Sequence, residues 1–317
     1  MKTRKTAPAV TAEQMQEKIA EQVEQLRESG QWQRFLDLST GFHAYSLSNL
    51  LLIAAQRPDA TAVAGFRKWK EKGRQVRKGE KAIRIFGYRE RTITEQDEST
   101  GEETTRRAVY FPVLSVFDIA QTDSTGDEAT DQAALNLTSH LTGDTDHGVI
   151  DRLTAALAAA GWTVGVEPIL WGAAGYTDPD TRRVVLAQGL APEQHAKTLI
   201  HEAAHIELDH IADREAYRAH RGLMETEAES VAYVVAGMLG FDTAAYSIGY
   251  IAGWSHADTD LVRSTAQRVI TAVRKIHARI APANQSEPPH GRPRRYGRRS
   301  RIRECGMPTA RAALATA

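Results

Sequence analysis

The pair His201 and His205, with Glu202 beside the first, constrains the chain more than any other feature of its 317 residues. Histidines four apart share a face only if the segment is an α-helix. The neighbours agree, because Ala196, Leu199, Ile200, Ala203, Ala204 and Leu208 flank them with the apolar stripe of a helix that crosses a domain core. Imidazoles without partners are costly there. At this spacing the two rings can converge on one zinc ion. Glu202 is poorly placed as a third ligand, but it reaches a metal-bound water, whose proton it can take and pass to a leaving amine. Zinc brings that water's pKa towards roughly 7 and polarises a carbonyl. The expectation is one Zn2+ and a metallopeptidase of the HExxH type, with His201 and His205 as ligands and Glu202 catalytic.

A catalytic zinc usually takes a third protein ligand. The candidates lie in Glu225-Thr226-Glu227-Ala228-Glu229. Ala228, Val231, Ala232, Val235 and Leu239 define the buried face of a helix here; Glu225 lies on that face and Glu227 points elsewhere. Glu225 is therefore expected as ligand, and Glu229, one turn on, as acceptor for a histidine ring N–H. His210 and His220 stay open as ligands. His43, His195 and His256 carry no expectation.

The remainder of the chain divides by composition. Ala12 to Glu28 carries Met15, Ile19, Val23 and Leu26 at helical spacing, and a second apolar helix runs from Trp32 past Ser39 and Gly41 to Ala55, closed by Pro58. Ala82 to Tyr88 and Val109 to Phe117 read as paired strands, with Thr92 to Arg107 as a long hairpin arm. From Gln121 to about Asp146, Thr, Asp, Ser and Gly dominate, the composition of a linker. Then follow a helix at Val149 to Ala160, a strand at Trp162 to Val166, a hairpin at Tyr176 to Ala187, and helices at Pro192 to about Ile211, Met224 to Leu239 and Thr259 to Ile280. The expected fold class is α+β in two domains, at 10–122 and 147–282, with an acidic linker at 123–146 and a disordered Arg-rich tail at 283–317. The C-terminal domain is mainly helical with a small β-sheet. No apolar run is long enough for a membrane span and no apolar segment follows the basic N-terminus, so a cytoplasmic protein is expected. The single cysteine, Cys305, falls in the tail, so any metal must use His, Asp or Glu.

A net charge of zero hides a basic segment, Arg57 to Arg91, with twelve Lys/Arg against four Asp/Glu. Around Tyr45 and Asn49, and through Phe66, Arg67, Lys68, Trp69, Lys70, Lys72, Arg74, Arg77, Lys78 and Lys81, cations alternate with aromatics and turns. Lys and Arg can track a phosphate backbone, while Trp69 or Phe66 offers a surface for stacked bases. A solvated basic surface around a structural tryptophan has the same composition.

Two resemblances follow from these motifs. The order hairpin, HExxH helix and ExxAE helix, most specific in Thr198 to Leu208 and Glu225 to Ala236, resembles the ImmA/IrrE group of metallopeptidases. It implies a small zincin fold in which the strand before the motif helix, Arg183 to Ala187, receives a peptide substrate as an added β-strand. The chain departs from that group at Glu229, where relatives carry Asn or Asp. Tyr45 to Leu52, Gly65 to Lys70 and Val76 to Ile83, closing with Val116 to Thr122, resemble the N-terminal domain of ArdC antirestriction proteins. That resemblance implies a single-stranded DNA-binding domain in front of the peptidase domain, and protection of incoming plasmid DNA from restriction. The alternative is a non-catalytic single-strand-binding protein in which zinc is mainly structural.

Overall fold

A computed structural model describes residues 11–96, 103–125, 146, 148–170, 172–241 and 258–280. Most of the expected linker, the expected tail, His256 and Cys305 lie outside the described residues.

The N-terminal part opens with three helices. α1 (Ala12–Gln25) starts from a capping box in which Thr11 and Gln14 satisfy each other's backbone N–H groups, and it buries Met15, Ile19 and Val23. The apolar run from Trp32 to Ala55 is two helices rather than one, α2 (Ser29–Phe42) and α3 (Leu47–Gln56). Ser46 makes the division by capping α3 through the Asn49 N–H. β1 (Val63–Ala64) leads into α4 (Phe66–Glu71), β2 (Arg74–Val76) and β3 (Ile83–Phe86). The expected hairpin arm is β4 (Arg89–Gln96) paired with β5 (Glu103–Tyr110). β6 (Val113–Asp118) then pairs antiparallel with both β3 and β1, and β7 (Thr122–Ser124) with β2.

In the C-terminal part, α5 (Val149–Ala159) precedes a sheet of β8 (Thr163–Glu167), β9 (Gly175–Asp178) and β10 (Arg183–Ala187). β10 lies in the middle, parallel to β8 and antiparallel to β9. This corrects the expectation that Arg183 to Ala187 receives a peptide: both its edges are hydrogen-bonded, and β9 is the edge strand on the helix side. Gly175 lets β9 settle there, since a Cβ would stand 2.6 Å from Thr198 Cγ2. Three helices follow. α6 (Pro192–Glu207) carries the histidine motif, α7 (Arg214–Leu239) the acidic residues, and α8 (Thr259–Ile280) packs on both. α7 begins well before the expected Met224. Asp213 caps it through the Glu215 and Ala216 N–H groups, and the helix kinks at His220.

The two parts share one hydrophobic core, in which Met15, Trp32, Leu36 and Leu50 belong to the same cluster as Leu199, Val235, Val269 and Ile276. Polar contacts cross the junction: Trp32 Nε1 donates to Ser230 Oγ at 3.1 Å, Thr259 Oγ1 to Glu24 at 2.7 Å, and Arg274 to the His43 carbonyl at 2.7 Å and to that of Tyr45. At Gly237 a side chain would meet Thr40 at 3.0 Å, so α2 and α7 approach closely. The rings of His43 and His277 lie 4.6 Å apart in this seam.

Burial, with the neighbouring His277 and the Arg274 guanidinium adding to it, pushes His43 down to about 4. Between its unfolded value near 6.5 and 4, the unfolded chain takes up a proton that the folded chain refuses, so stability falls as pH drops through this window. His43→Gln is expected to narrow the stability difference between pH 7 and pH 5 by about 1–2 kcal/mol. Urea unfolding at the two pH values measures it; an unchanged difference would place the acid sensitivity elsewhere.

Candidate metal centre

α6 starts with Pro192 in its first turn and Glu193 next to it, both suited to a helix N-terminus. Ala196, Leu199, Ile200, Ala203 and Ala204 are buried, so the helix is held on its apolar face while His201 and His205 project together towards α7. At its other end Asp209 takes the left-handed conformation (φ 61), and the His210 N–H returns to the His205 carbonyl at 3.0 Å. The turn places the His210 ring against His205.

The Nε2 atoms of His201 and His205 are 3.1 Å apart, and Glu225 Oε2 lies 3.4 Å from the first and 3.7 Å from the second. A point equidistant from these three atoms is roughly 2 Å from each, the length of a metal–nitrogen or metal–oxygen bond at a divalent ion. Electrostatics favour a cation at that point. Burial opposes charge on His201, but Glu225, Glu229 and Glu202 outweigh it and push the imidazole up to about 10. Glu225 is held far below the usual carboxylate range, chiefly by His201 and His205, with Tyr217 adding to them. The chemistry and spacing of this donor set fit a divalent metal ion.

The surrounding contacts orient the set. His201 Nδ1 is 3.1 Å from Glu229 Oε2. Thr177, on β9, donates its hydroxyl to Glu202 Oε2 at 2.7 Å. The Tyr217 hydroxyl donates to Glu225 Oε1; burial and that carboxylate push the phenol up to about 12. A cavity of about 350 Å³ opens beside these groups, lined by Gly175, Gln194, Lys197, His201, Glu202 and Glu229 among others. Of the alternative ligands, His210 stands behind His205, its Nδ1 3.0 Å from His205 Nδ1, and His220 sits at the kink of α7, outside the converging group. Glu227 does face away from the three donors. It is only 2% exposed, and its carboxylate accepts from His210 Nε2 at 2.8 Å.

Residue patterns alone missed Thr177, Tyr217 and the pairing of His210 with Glu227. The first two reach the centre from separate elements, and no spacing in the chain announces them. His210 carried a weak signal as a histidine five residues beyond His205, and Glu227 as the middle acid of three.

The basic N-terminal residues separate into two groups. Trp69 is 1% exposed and donates Nε1–H to the Phe117 carbonyl at 2.8 Å, which corrects its expected role as a stacking surface: it is a core residue. Asn49 bonds the backbone N–H and C=O of Phe86 at 2.9 and 2.8 Å, fastening α3 to β3, and Tyr45 donates to the Val63 carbonyl. Arg74 binds Thr122, Arg77 binds Glu80 and Asp123, and Lys68 pairs with Glu71. Lys72 is half-buried. Phe66 is 52% exposed, and Arg67, Lys70, Lys78 and Lys81 are exposed with it. Tyr88, Tyr110 and Phe111, at the base of the β4–β5 arm, are further exposed aromatics, and the Arg91 guanidinium lies over the Tyr110 ring at 5.8 Å.

Comparison with known proteins matches both parts. Residues 10–118 fit the family described as the N-terminal domain of anti-restriction factor ArdC, and residues 168–246 fit the IrrE N-terminal-like domain of peptidase family M78. An uncharacterized protein of Bacillus anthracis is 24% identical over 251 residues; the match covers 69% of this chain and 42% of that protein. Two crystal structures of the antirestriction ArdC protein from the R388 plasmid are also similar. The metal-free one shows 24% identity and a TM-score of 0.44, covering 75% of this chain and 85% of the other. The Mn(II)-bound one shows 20% identity and a TM-score of 0.41, covering 78% and 98%.

The geometry makes Glu225 testable without an activity assay. Glu225→Ala is expected to lower the divalent metal retained after dialysis, read by elemental analysis, with a loss of affinity at least as large as the ten- to a hundredfold that removal of an outer partner of a ligand costs, while far-UV circular dichroism stays unchanged. Unaltered metal content would move the third donor to another residue.

Proposed function

For a chain that joins an ArdC-type N-terminal domain to an IrrE-like domain, we propose a zinc-dependent peptidase that works on or near single-stranded DNA. The observation that carries the reading is the convergence of His201, His205 and Glu225 on one point, with the Glu202 carboxylate at the edge of the adjoining cavity. These three side chains would hold the ion, and zinc bound there supplies a polarised carbonyl and an acidified water. Glu202 takes the proton of the attacking water and returns it to the leaving amine. Thr177 fixes the carboxylate for that transfer. The substrate is an extended peptide laid along β9, whose backbone donors and acceptors serve any sequence, so recognition is expected to be tolerant of side chains.

The support for DNA is the exposed Phe66 with Arg67, Lys70, Lys78 and Lys81 around α4 and the following turn. Cations beside an aromatic face suit phosphates and unpaired bases together. By analogy with the anti-restriction factor whose N-terminal domain it matches, the protein would protect incoming DNA from restriction.

One observation favours a second reading. The donors come from α6 and α7, two helices of the shared core, so an ion between them also fastens the fold, and a non-catalytic DNA-binding protein would need it for that alone.

Glu202→Gln separates the two. The peptidase reading predicts full zinc content and peptide cleavage reduced a hundredfold or more, measured on an unstructured protein substrate with and without single-stranded DNA. Antirestriction activity surviving intact in this variant would favour the second reading. For the DNA surface, Phe66→Ala is expected to weaken single-strand binding by about 1–3 kcal/mol, with affinity falling steeply as salt rises. Trp69→Ala should instead destabilise the fold by about 3–5 kcal/mol in denaturant titrations.

A further inference from the structure

His205 is not oriented in the way His201 is. The outer nitrogen of His201 meets a carboxylate directly, Glu229 at 3.1 Å. The outer nitrogen of His205 meets another histidine, His210, at 3.0 Å between the two Nδ1 atoms. The far nitrogen of His210 then lies 2.8 Å from Glu227 Oε2, and the other oxygen of Glu227 is 3.1 Å from Arg268 Nε on α8. Arg268 also donates to the Leu208 carbonyl at 2.9 Å, at the end of α6. His205, His210 and Glu227 are all buried, so water does not compete for these bonds.

We propose that Glu227, acting through His210, sets the tautomer of His205 and thereby its ability to present Nε2 to the metal. The inference rests on the metal-site reading given above. The order of protons follows from the chemistry of each link. An ionised carboxylate only accepts, so His210 must carry its proton on Nε2. That leaves His210 Nδ1 as an acceptor, which requires His205 to carry its own proton on Nδ1. His205 Nε2 then has its lone pair free and aimed at the point it shares with His201 Nε2 and Glu225 Oε2. A ring in the other tautomer would point N–H at the metal and could not bind it.

Arg268 balances the charge of Glu227 and pins the turn that carries His210. The left-handed Asp209 gives that turn its shape. Glu227 and His210 are thus positioning residues, and α8 takes part in the centre without touching it.

The test uses the full chain with the ring nitrogens of histidine labelled with 15N. In the zinc-loaded wild type, His205 is expected to be protonated at Nδ1 and His210 at Nε2. In competition with a chelator, His210→Leu should weaken zinc ten- to a hundredfold. His210→Gln should stay within about threefold of wild type, because its amide can accept from His205 and donate to Glu227 as the imidazole does. A folded His210→Leu variant with wild-type affinity, or a His205 ring unprotonated at Nδ1, would overturn the relay. Should His210→Leu fail to fold, the wild-type spectrum decides. A wild-type protein that binds no zinc at all would instead remove the metal reading, and the relay with it.

Discussion

Everything about the C-terminal part depends on a concentration of unlike charge in a place where water is scarce. Two imidazoles and the carboxylates of Glu202, Glu225 and Glu229 meet between α6 and α7, one turn from side chains that are wholly buried. Carboxylates so close repel one another unless a positive charge lies among them. A proton on His201 is one solution and a divalent ion is the other. The second satisfies three donors at once, whereas the first satisfies two, which is why the geometry suits a metal better than a simple ion pair.

The elements around that centre are arranged to keep it in place. β9 comes down on α6 at Gly175 and delivers Thr177 to Glu202. α8 reaches the end of α6 and the buried Glu227 through one arginine. The N-terminal helices close the far side of α7 and α8, through Trp32 and Ser230 and through Arg274 and the carbonyls of residues 43 and 45. The proposed DNA-binding part is therefore packed against the helices that carry the centre.

The legible part of this arrangement was the part encoded locally. Helical periodicity places His201 and His205 on one face, and the apolar residues from Ala228 to Leu239 orient Glu225 towards them, so the meeting of these three could be read from spacing. So could the hairpin arm and the bounds of the last helix. What could not be read depends on residues far apart in the chain. Trp69 sits among cations, and its composition is the same whether its ring stacks a base or plugs a core; the Phe117 carbonyl, in a distant strand, decides for the core. Which strand lies at the edge of a three-stranded sheet is likewise a matter of order, and β8 occupies the side of β10 that the chain pattern left open. The place of His210 behind His205 was hidden for a different reason. A turn built on a left-handed residue normally announces itself with glycine, and here it is made by Asp209.

The central claim is that one divalent ion sits between His201, His205 and Glu225. X-ray absorption at the zinc edge of the metal-loaded protein tests it most directly. The account predicts a first shell of nitrogen and oxygen only, at about 2.0–2.1 Å, with the outer scattering of two imidazoles. A sulfur at about 2.3 Å, which would have to come from Cys305, or a shell without imidazole, would contradict it.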